Sequence, residues 1–354
     1  MSDIEKMSSK YAIKSRLEGG CTFGSLILDA LVGGEIPRGV LIDLAGKEGS
    51  GKSTALLHTI KSNAALGRKC AYIDLEGGVN ASQLEGIGVA EFMRRDTLSR
   101  YGANPDLSNG SNLVDFFFAQ TFEDCEEILD LLMKEGYEIV VIDSIQAIKP
   151  KKLLEGSVAM VEPGLKARLE SAFLTKYSAL CKISGMILIF VSQFRTKIAF
   201  TGAGTTEGAG GGYAVKHYMD IRMCMKQKKK MEKTIQTGGG KQSVPYGSIN
   251  EVWTTKCRLA PPYIPLSLSI VFGKGISNLA AYRDLLERHG RIQGSRGFFT
   301  ILLGPDKKKE VKARGEHNLT QKIMENIDEV LEFAKSVGGI KLIEGDAVEG
   351  GEDE

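Results

Sequence analysis

The chain has 354 residues, room for one large domain and one small one, and its 42% hydrophobic, 25% charged make-up is that of a soluble globular protein with a full core. No apolar run is long enough to span a bilayer, and the N-terminus lacks the apolar stretch of a secretory signal, which argues against a membrane or exported protein. The net charge of +2 hides an asymmetry: residues 344–354 hold six acids and no base, and removing that −6 leaves about +8 on residues 1–343. A basic body suits a polyanion, and the tail either solubilises the chain or competes for the same surface.

In chain order, residues 2–17 are predicted to form a short helix. Ser2-x-x-Glu5 resembles a capping box, with Ile4, Met7 and Tyr11 on one face. A glycine-rich stretch over 18–39 leads to the apolar run Val40–Leu44, a buried strand. Gly46-Lys47-Glu48-Gly49-Ser50-Gly51-Lys52-Ser53 follows, a G-x-x-x-x-G-K-S phosphate loop, and Thr54 opens a helix that runs to Leu66 with a stop at Gly67. In that strand–loop–helix setting, backbone N–H groups and the helix N-terminus favour phosphate oxygens. Lys52 is then placed to reach the β- and γ-phosphates and Ser53 to ligate Mg²⁺.

Cys70–Asp74 and Val114–Ala119 are predicted strands, and Thr121 caps a helix with Ile128, Leu131 and Leu132 on its apolar face. Ile139–Asp143 is a β-branched strand ending in an acid, Leu165–Lys182 a helix, and Met186–Val191 a further apolar strand. Continuous apolar strands alternating with helices indicate α/β architecture, a mostly parallel sheet covered on both faces. Ligands then bind at the carboxyl ends of the strands.

Residues 98–112, 194–212 and 226–242 look mobile by composition. The last combines Lys226, Lys228, Lys229, Lys230 and Lys233 with consecutive glycines. From about residue 279 short helices separated by Gly290, Gly294 and Gly297 are expected, then one amphipathic helix over 319–337. The six cysteines are scattered with no C-x-x-C pair, and the four histidines lack ligand spacing, so thiols are expected reduced and no structural zinc is expected.

Asp143, at a strand end, suits Mg²⁺ beside Ser53, or else caps the turn that Ser144 begins. Asp74 and Glu76 follow another strand end, where a carboxylate can deprotonate an attacking water; Glu76 has the longer reach. Gln193 closes a strand and can hydrogen-bond a γ-phosphate. Phe194-Arg195-Thr196-Lys197-Ile198-Ala199-Phe200 then enters a glycine-rich loop of the type that suits single-stranded nucleic acid, or that simply links elements.

These residues give the chain a resemblance to the RecA-type recombinases over about residues 20–335. Gly24-Ser25-Leu26 with Leu28-Asp29 resembles the family's lead-in to the core. Tyr72-Ile73-Asp74-Leu75-Glu76 is similar to the strand bearing its catalytic glutamate, and Val141-Ile142-Asp143-Ser144 to its magnesium-binding acid. Gly164-Leu165-x-Ala167-Arg168 resembles the helix after its first DNA loop. Phe190–Ile198 resembles its switch glutamine and the start of the second loop, and Gly211-Gly212-Tyr213-Ala214-Val215-Lys216 the end of that loop. Lys256-x-Arg258 falls where the family places two cations, and Phe272-Gly273-x-Gly275-Ile276 is similar to its exit from the core.

The resemblance implies a P-loop core over 21–278, an N-terminal protomer contact over 1–20, a small C-terminal α/β domain over 279–340 and an acidic tail over 341–354. It implies DNA loops at about 154–163 and 195–210, with Arg168, Arg195, Lys197, Phe200, Gly211 and Gly212 on DNA. ATP and Mg²⁺ are the implied cofactors: Gly46–Thr54 and Asp74 bind nucleotide, Glu76 is the base, and Gln193 senses the γ-phosphate. Lys256 and Arg258 act on a neighbour's nucleotide across a helical filament. The implied activity is DNA-dependent ATP hydrolysis with homologous pairing and strand exchange, in the cytoplasm, on single- and double-stranded DNA, alongside single-strand-binding and loading proteins. An accessory recombination ATPase and, further off, a hexameric helicase motor use the same core. The chain also departs from the family. Its N-terminal segment is short, and the adenine-contacting acid and tyrosine fall at Asn80 and Gln83. The segments 98–112 and 226–233 have no obvious counterpart. These departures suit a phage-encoded relative, which would work in the host cytoplasm.

Overall fold

A computed structural model describes residues 19–155, 164–198, 205–209, 213–237, 240–295, 297–304 and 306–336. The expected helix over 2–17 and the acidic tail lie outside them. The first half runs α1 (Leu26–Leu31), β1 (Leu41–Gly46), α2 (Lys52–Ala64), β2 (Cys70–Asp74), α3 (Ala81–Ile87), α4 (Arg95–Arg100), β3 (Val114–Phe118), α5 (Phe122–Lys134), β4 (Ile139–Asp143) and α6 (Lys151–Glu155). It continues with α7 (Leu165–Ser184), β5 (Ile187–Ile198), β6 (Thr205–Ala209), α8 (Tyr213–Tyr218), β7 (Ile221–Thr237), β8 (Gly240–Lys256), β9 (Leu266–Val271) and β10 (Gly275–Ser277). Last come α9 (Leu279–Arg288), β11 (Ile292–Ser295), β12 (Phe298–Leu303), β13 (Lys309–Arg314), α10 (Gly315–Glu325) and α11 (Ile327–Ser336).

The main sheet has the order β10-β9-β8-β7-β1-β5-β4-β2-β3, with β6 paired to β5. From β7 to β3 every neighbour is parallel, while β7, β8, β9 and β10 form an antiparallel meander on one side. The parallel strands are apolar on both faces because both are covered. On one face Ile42, Leu44, Tyr72, Val141 and Ile189 pack with Leu56, Leu57 and Ile60 of α2. On the other, Leu41, Ile73, Ile142, Leu188 and Phe190 pack with Leu129 of α5 and with Phe173 and Tyr177 of α7. Inside the sheet, Asp43 is fully buried and held by Arg222 at 2.9 Å; burial raises its carboxyl and Arg222 opposes that. The capping reading of Thr121 holds: its side chain and that of Asp124 exchange bonds with each other's backbone N–H. No helix among the described residues is long and apolar enough to cross a membrane.

Three expectations need correction. Residues 98–112 are not a loose loop: α4 ends at Arg100, a short 3₁₀ turn spans Pro105–Leu107, and Ser108 Oγ donates to Met93 O at 2.6 Å. Residues 226–237 and 240–242 do not form a loop either; β7 and β8 are each 17 residues long and pair as one antiparallel ribbon. At the C-terminal end, β11-β12-β13 make a small antiparallel sheet where short helices were expected, and the last helix is two helices meeting at Asn326. Gly294 makes that sheet possible, since at φ +118 an added Cβ would stand 2.0 Å from Phe298 O. Leu286, Ile301, Leu303, Leu319, Ile323 and Val330 form a separate apolar cluster there, against which Leu26 of α1 packs.

Candidate functional site

The phosphate loop lies at the carboxyl edge of the sheet, between β1 and α2, where Gly46 stands beside Gln193 of β5 and Met225 of β7. Close approach dictates its glycines. A Cβ on Gly46 would meet Met225 O at 2.5 Å, and one on Gly51, at φ +88, would meet Ile270 Cδ1 at 2.6 Å. Ser50 is buried and its Oγ donates to Lys47 O at 2.7 Å, which closes the turn. Lys52 is 7% exposed, and its Nζ donates to the carbonyls of Gly46 (3.1 Å) and Lys47 (2.8 Å). Burial pulls this ammonium below the usual lysine range, while Asp143, Glu76 and Glu48 pull it back up.

Ser53 Oγ donates to Asp143 Oδ2 at 2.6 Å, and the buried Tyr72 hydroxyl donates to the same oxygen at 2.5 Å. Burial raises the Asp143 carboxyl; the two hydroxyls counter it. Asp143 ends β4 and Tyr72 lies in the adjacent β2, so parallel pairing brings them together. Ser144, the next residue, donates its hydroxyl to Glu76 Oε1.

A cleft of about 320 Å³ joins these parts. Glu48, Gly49, Gly51, Lys52, Ser53, Thr54, Glu76, Asp143 and Gln193, all singled out from the sequence, line it. Ser144, Val191, Gln83, Ser248, Ile270 and Phe272 complete it. Ser248 of β8 and Ile270 of β9 belong to no motif named from the sequence, and Phe272 opens the expected core-exit motif; the sheet order brings all three here.

Other named residues sit elsewhere. Asp74 does not line the cleft: its Oδ1 accepts from the N–H groups of Glu76, Gly77 and Gly78, and its Oδ2 from Val79 at 3.1 Å. It ties down the turn that carries Glu76. Asn80 and Gln83 satisfy each other in a capping box at the start of α3, and of the two Gln83 also lines the cleft. Lys256 and Arg258 are outside the cleft of their own chain. Lys256 Nζ donates to the carbonyls of Lys216 (3.2 Å) and His217 (3.0 Å) at the end of α8, and burial and Arg258 lower it. Arg168 is exposed in the first turn of α7. Arg195 and Lys197 lie on β5 opposite Gly208 and Thr206 of β6, so the described part of the second expected loop is a two-stranded ribbon. Phe200, Gly211, Gly212 and residues 156–163 lie outside the described residues.

The model of the RecA N-terminal domain matches residues 4–96 and 108–277. Protein RecA of Mycobacterium sp. (strain KMS) is 32% identical over 316 residues, covering 89% of this chain and 81% of that protein. The chain belongs to the RecA family. Protein RecA of Mycolicibacterium smegmatis is 31% identical over 316 residues (89% and 80% covered), and that of Gloeothece citriformis 32% over 315 residues (89% and 79% covered). The break in the RecA match, residues 97–107, falls on the α4 and 3₁₀ segment that lacks an obvious counterpart. These RecA relatives are bacterial and lend no support to a phage source.

Proposed function

We propose that this protein is a DNA-dependent ATPase that forms a helical filament on single-stranded DNA, pairs it with homologous duplex and exchanges strands. The observation that carries this reading is one step of chain: Gln193 lines the nucleotide cleft, and Phe194 begins the β5/β6 ribbon. A contact between Gln193 and a γ-phosphate would reach the DNA-facing segment directly.

The cleft suits ATP and Mg²⁺. Its loop offers converging backbone N–H groups and a buried ammonium, and Ser53 with Asp143 supplies a hydroxyl and a carboxylate, the hard oxygens that Mg²⁺ prefers. Mg²⁺, when bound, neutralises charge on the β- and γ-phosphate oxygens. Lys52 stabilises the same charge. Glu76, held by Ser144 and by the turn anchored on Asp74, takes a proton from the attacking water as the bond from the γ-phosphorus to the bridging oxygen breaks. Lys256 and Arg258 serve the nucleotide of the neighbouring protomer; their place outside their own cleft agrees with that role. Arg168, Arg195, Lys197, Phe200, Gly211 and Gly212 are assigned to DNA. We also assign residues 1–20 to the protomer contact, 21–278 to the ATPase core and 279–340 to a small second domain. We place the protein in the cytoplasm, with single-strand-binding and loading proteins as partners.

ATP hydrolysis measured with and without circular single-stranded DNA tests the reading. Hydrolysis should depend on the strand. Lys52→Ala should lose it, and Glu76→Gln should bind nucleotide yet hydrolyse it at least ~10²-fold more slowly. Strand-independent hydrolysis, or a full rate in Glu76→Gln, would overturn it.

A further inference from the structure

The cleft has a second wall beyond the phosphate loop. Ile270 and Phe272, at and just past the end of β9, and Gln83 of α3 line it. The carboxylates that line the cleft, Glu48, Glu76 and Asp143, sit in the phosphate loop and at the ends of β2 and β4, so this second wall holds none.

Phe272 is 51% exposed, an uncovered ring on the cleft wall. A ring so placed is a platform on which a base can stack. Its place is fixed twice. Phe272 N–H donates to Tyr246 O at 3.0 Å, and α3 lies directly on the next residue, since a Cβ on Gly86 would stand 2.0 Å from Gly273 O. Gln83 precedes Gly86 by three residues and so shares that face of α3. The contact between Gly86 and Gly273 therefore holds the Gln83 amide and the Phe272 ring together on one wall.

Half of that amide is already engaged. In the capping box, Gln83 Oε1 accepts from Asn80 N–H at 3.2 Å. A backbone N–H must face the carbonyl oxygen of an amide, so this bond settles which way the group is turned. Nε2 is the end left over, and it has no acceptor among the described residues. The second wall thus offers a ligand one aromatic face and one donor.

We propose that Gln83 and Phe272 form the base end of the nucleotide cleft and select purines with a carbonyl at position 6, so that GTP and inosine triphosphate bind more tightly than ATP. Phe272 stacks on the base, and Gln83 Nε2 donates to O6. Guanine presents O6 beside N7, both acceptors, where adenine presents the N6 amino donor. ATP keeps the stacking and every phosphate contact, so it remains a ligand and lacks one hydrogen bond. The inference rests on the cleft being a nucleotide site.

The test uses the full chain and nucleoside diphosphates, which have no γ-phosphate to lose. With Mg²⁺ present, ADP, GDP and IDP compete against a ribose-labelled fluorescent ADP. GDP and IDP should half-displace the probe at concentrations about two- to tenfold lower than ADP, the worth of one hydrogen bond. IDP lacks the 2-amino group of GDP, so agreement between the two assigns the effect to O6. Gln83→Glu keeps an acceptor for Asn80 N–H, since Glu serves as well as Gln at that place in a capping box, and puts an oxygen where Nε2 stood. ADP should then bind more tightly than GDP. Phe272→Ala should weaken all three roughly 5- to 150-fold. Equal displacement by the three, tighter binding of ADP, or tighter binding of GDP alone in the parent overturns the proposal whatever the variants do. An unchanged order in folded Gln83→Glu protein overturns it too. A parent that binds none of them overturns it together with the reading of the cleft. Strand-independent hydrolysis of ATP counts against the proposed function and leaves the base preference standing.

Discussion

Both hydrogen bonds to the Asp143 carboxylate, from Ser53 and from Tyr72, fall on Oδ2, so Oδ1 is the oxygen left for a cation. Tyr72 is fully buried and its ring stacks on Phe116 at 5.3 Å, so Tyr72→Phe keeps the packing and removes only the hydroxyl. Outer partners of this kind fix the orientation of a ligating carboxylate. Tyr72→Phe is therefore expected to weaken Mg²⁺ binding about 10- to 100-fold with little change in the rate at saturating Mg²⁺. Titrating Mg²⁺ against binding of a fluorescent ATP analogue checks this; an unchanged half-saturation would contradict it. At this scale the sequence was informative where function is local. The G-x-x-x-x-G-K-S run and the acid at the end of an apolar strand were legible because adjacent residues do the work. Asp74 was not, because its fate depends on which way a turn folds: four backbone N–H groups claim its carboxylate. Nor was the bond from Tyr72 to Asp143, which exists only because β2 and β4 are neighbours.

Among the elements, the lead-in to the core offers a test by pH. Asp29 of α1 accepts from Thr22 Oγ1 at 2.6 Å and from Phe23 N–H at 2.7 Å, and burial pushes its carboxyl up to about 7. An unfolded aspartate titrates near 3.9. The folded chain thus retains this proton over the window between the two values. Its contribution to stability is full below the lower value and is lost as pH rises towards the upper one. Asp29→Asn, which does not titrate, should show a flatter dependence of unfolding free energy on pH between about 4 and 7. Denaturant unfolding of parent and variant at several pH values decides it, and parallel profiles would rule the account out. Element type was readable where periodicity is strong, as in β1, β4 and α7. The lysine run misled because a strand exposed on both faces shows no alternation, and its order comes from pairing with β8 rather than from its own pattern. The resemblance implied an α/β domain at the C-terminal end, but the local pattern read as helices alone: glycines at 290, 294 and 297 look like helix punctuation, whereas Gly294 and Gly297 border a hairpin.

For the whole molecule, the order of strands does what no single motif does. It sets β5 and β7 on either side of β1, so that the cleft has one ribbon on each flank. It also brings Ser248, Ile270 and Phe272 into the cleft wall. Family and fold class were legible from several separated motifs taken together, whereas the way two ribbons share one nucleotide site needed the sheet. The central claim is that ATP binding in this cleft organises two DNAs for pairing. Its most direct test incubates the protein with circular single strand, homologous linear duplex and Mg-ATP and scores joint molecules, with heterologous duplex and Lys52→Ala as controls. The account predicts joint molecules that require homology, ATP and Lys52. Strand-stimulated hydrolysis that yields none would contradict it and mark the protein as an accessory ATPase.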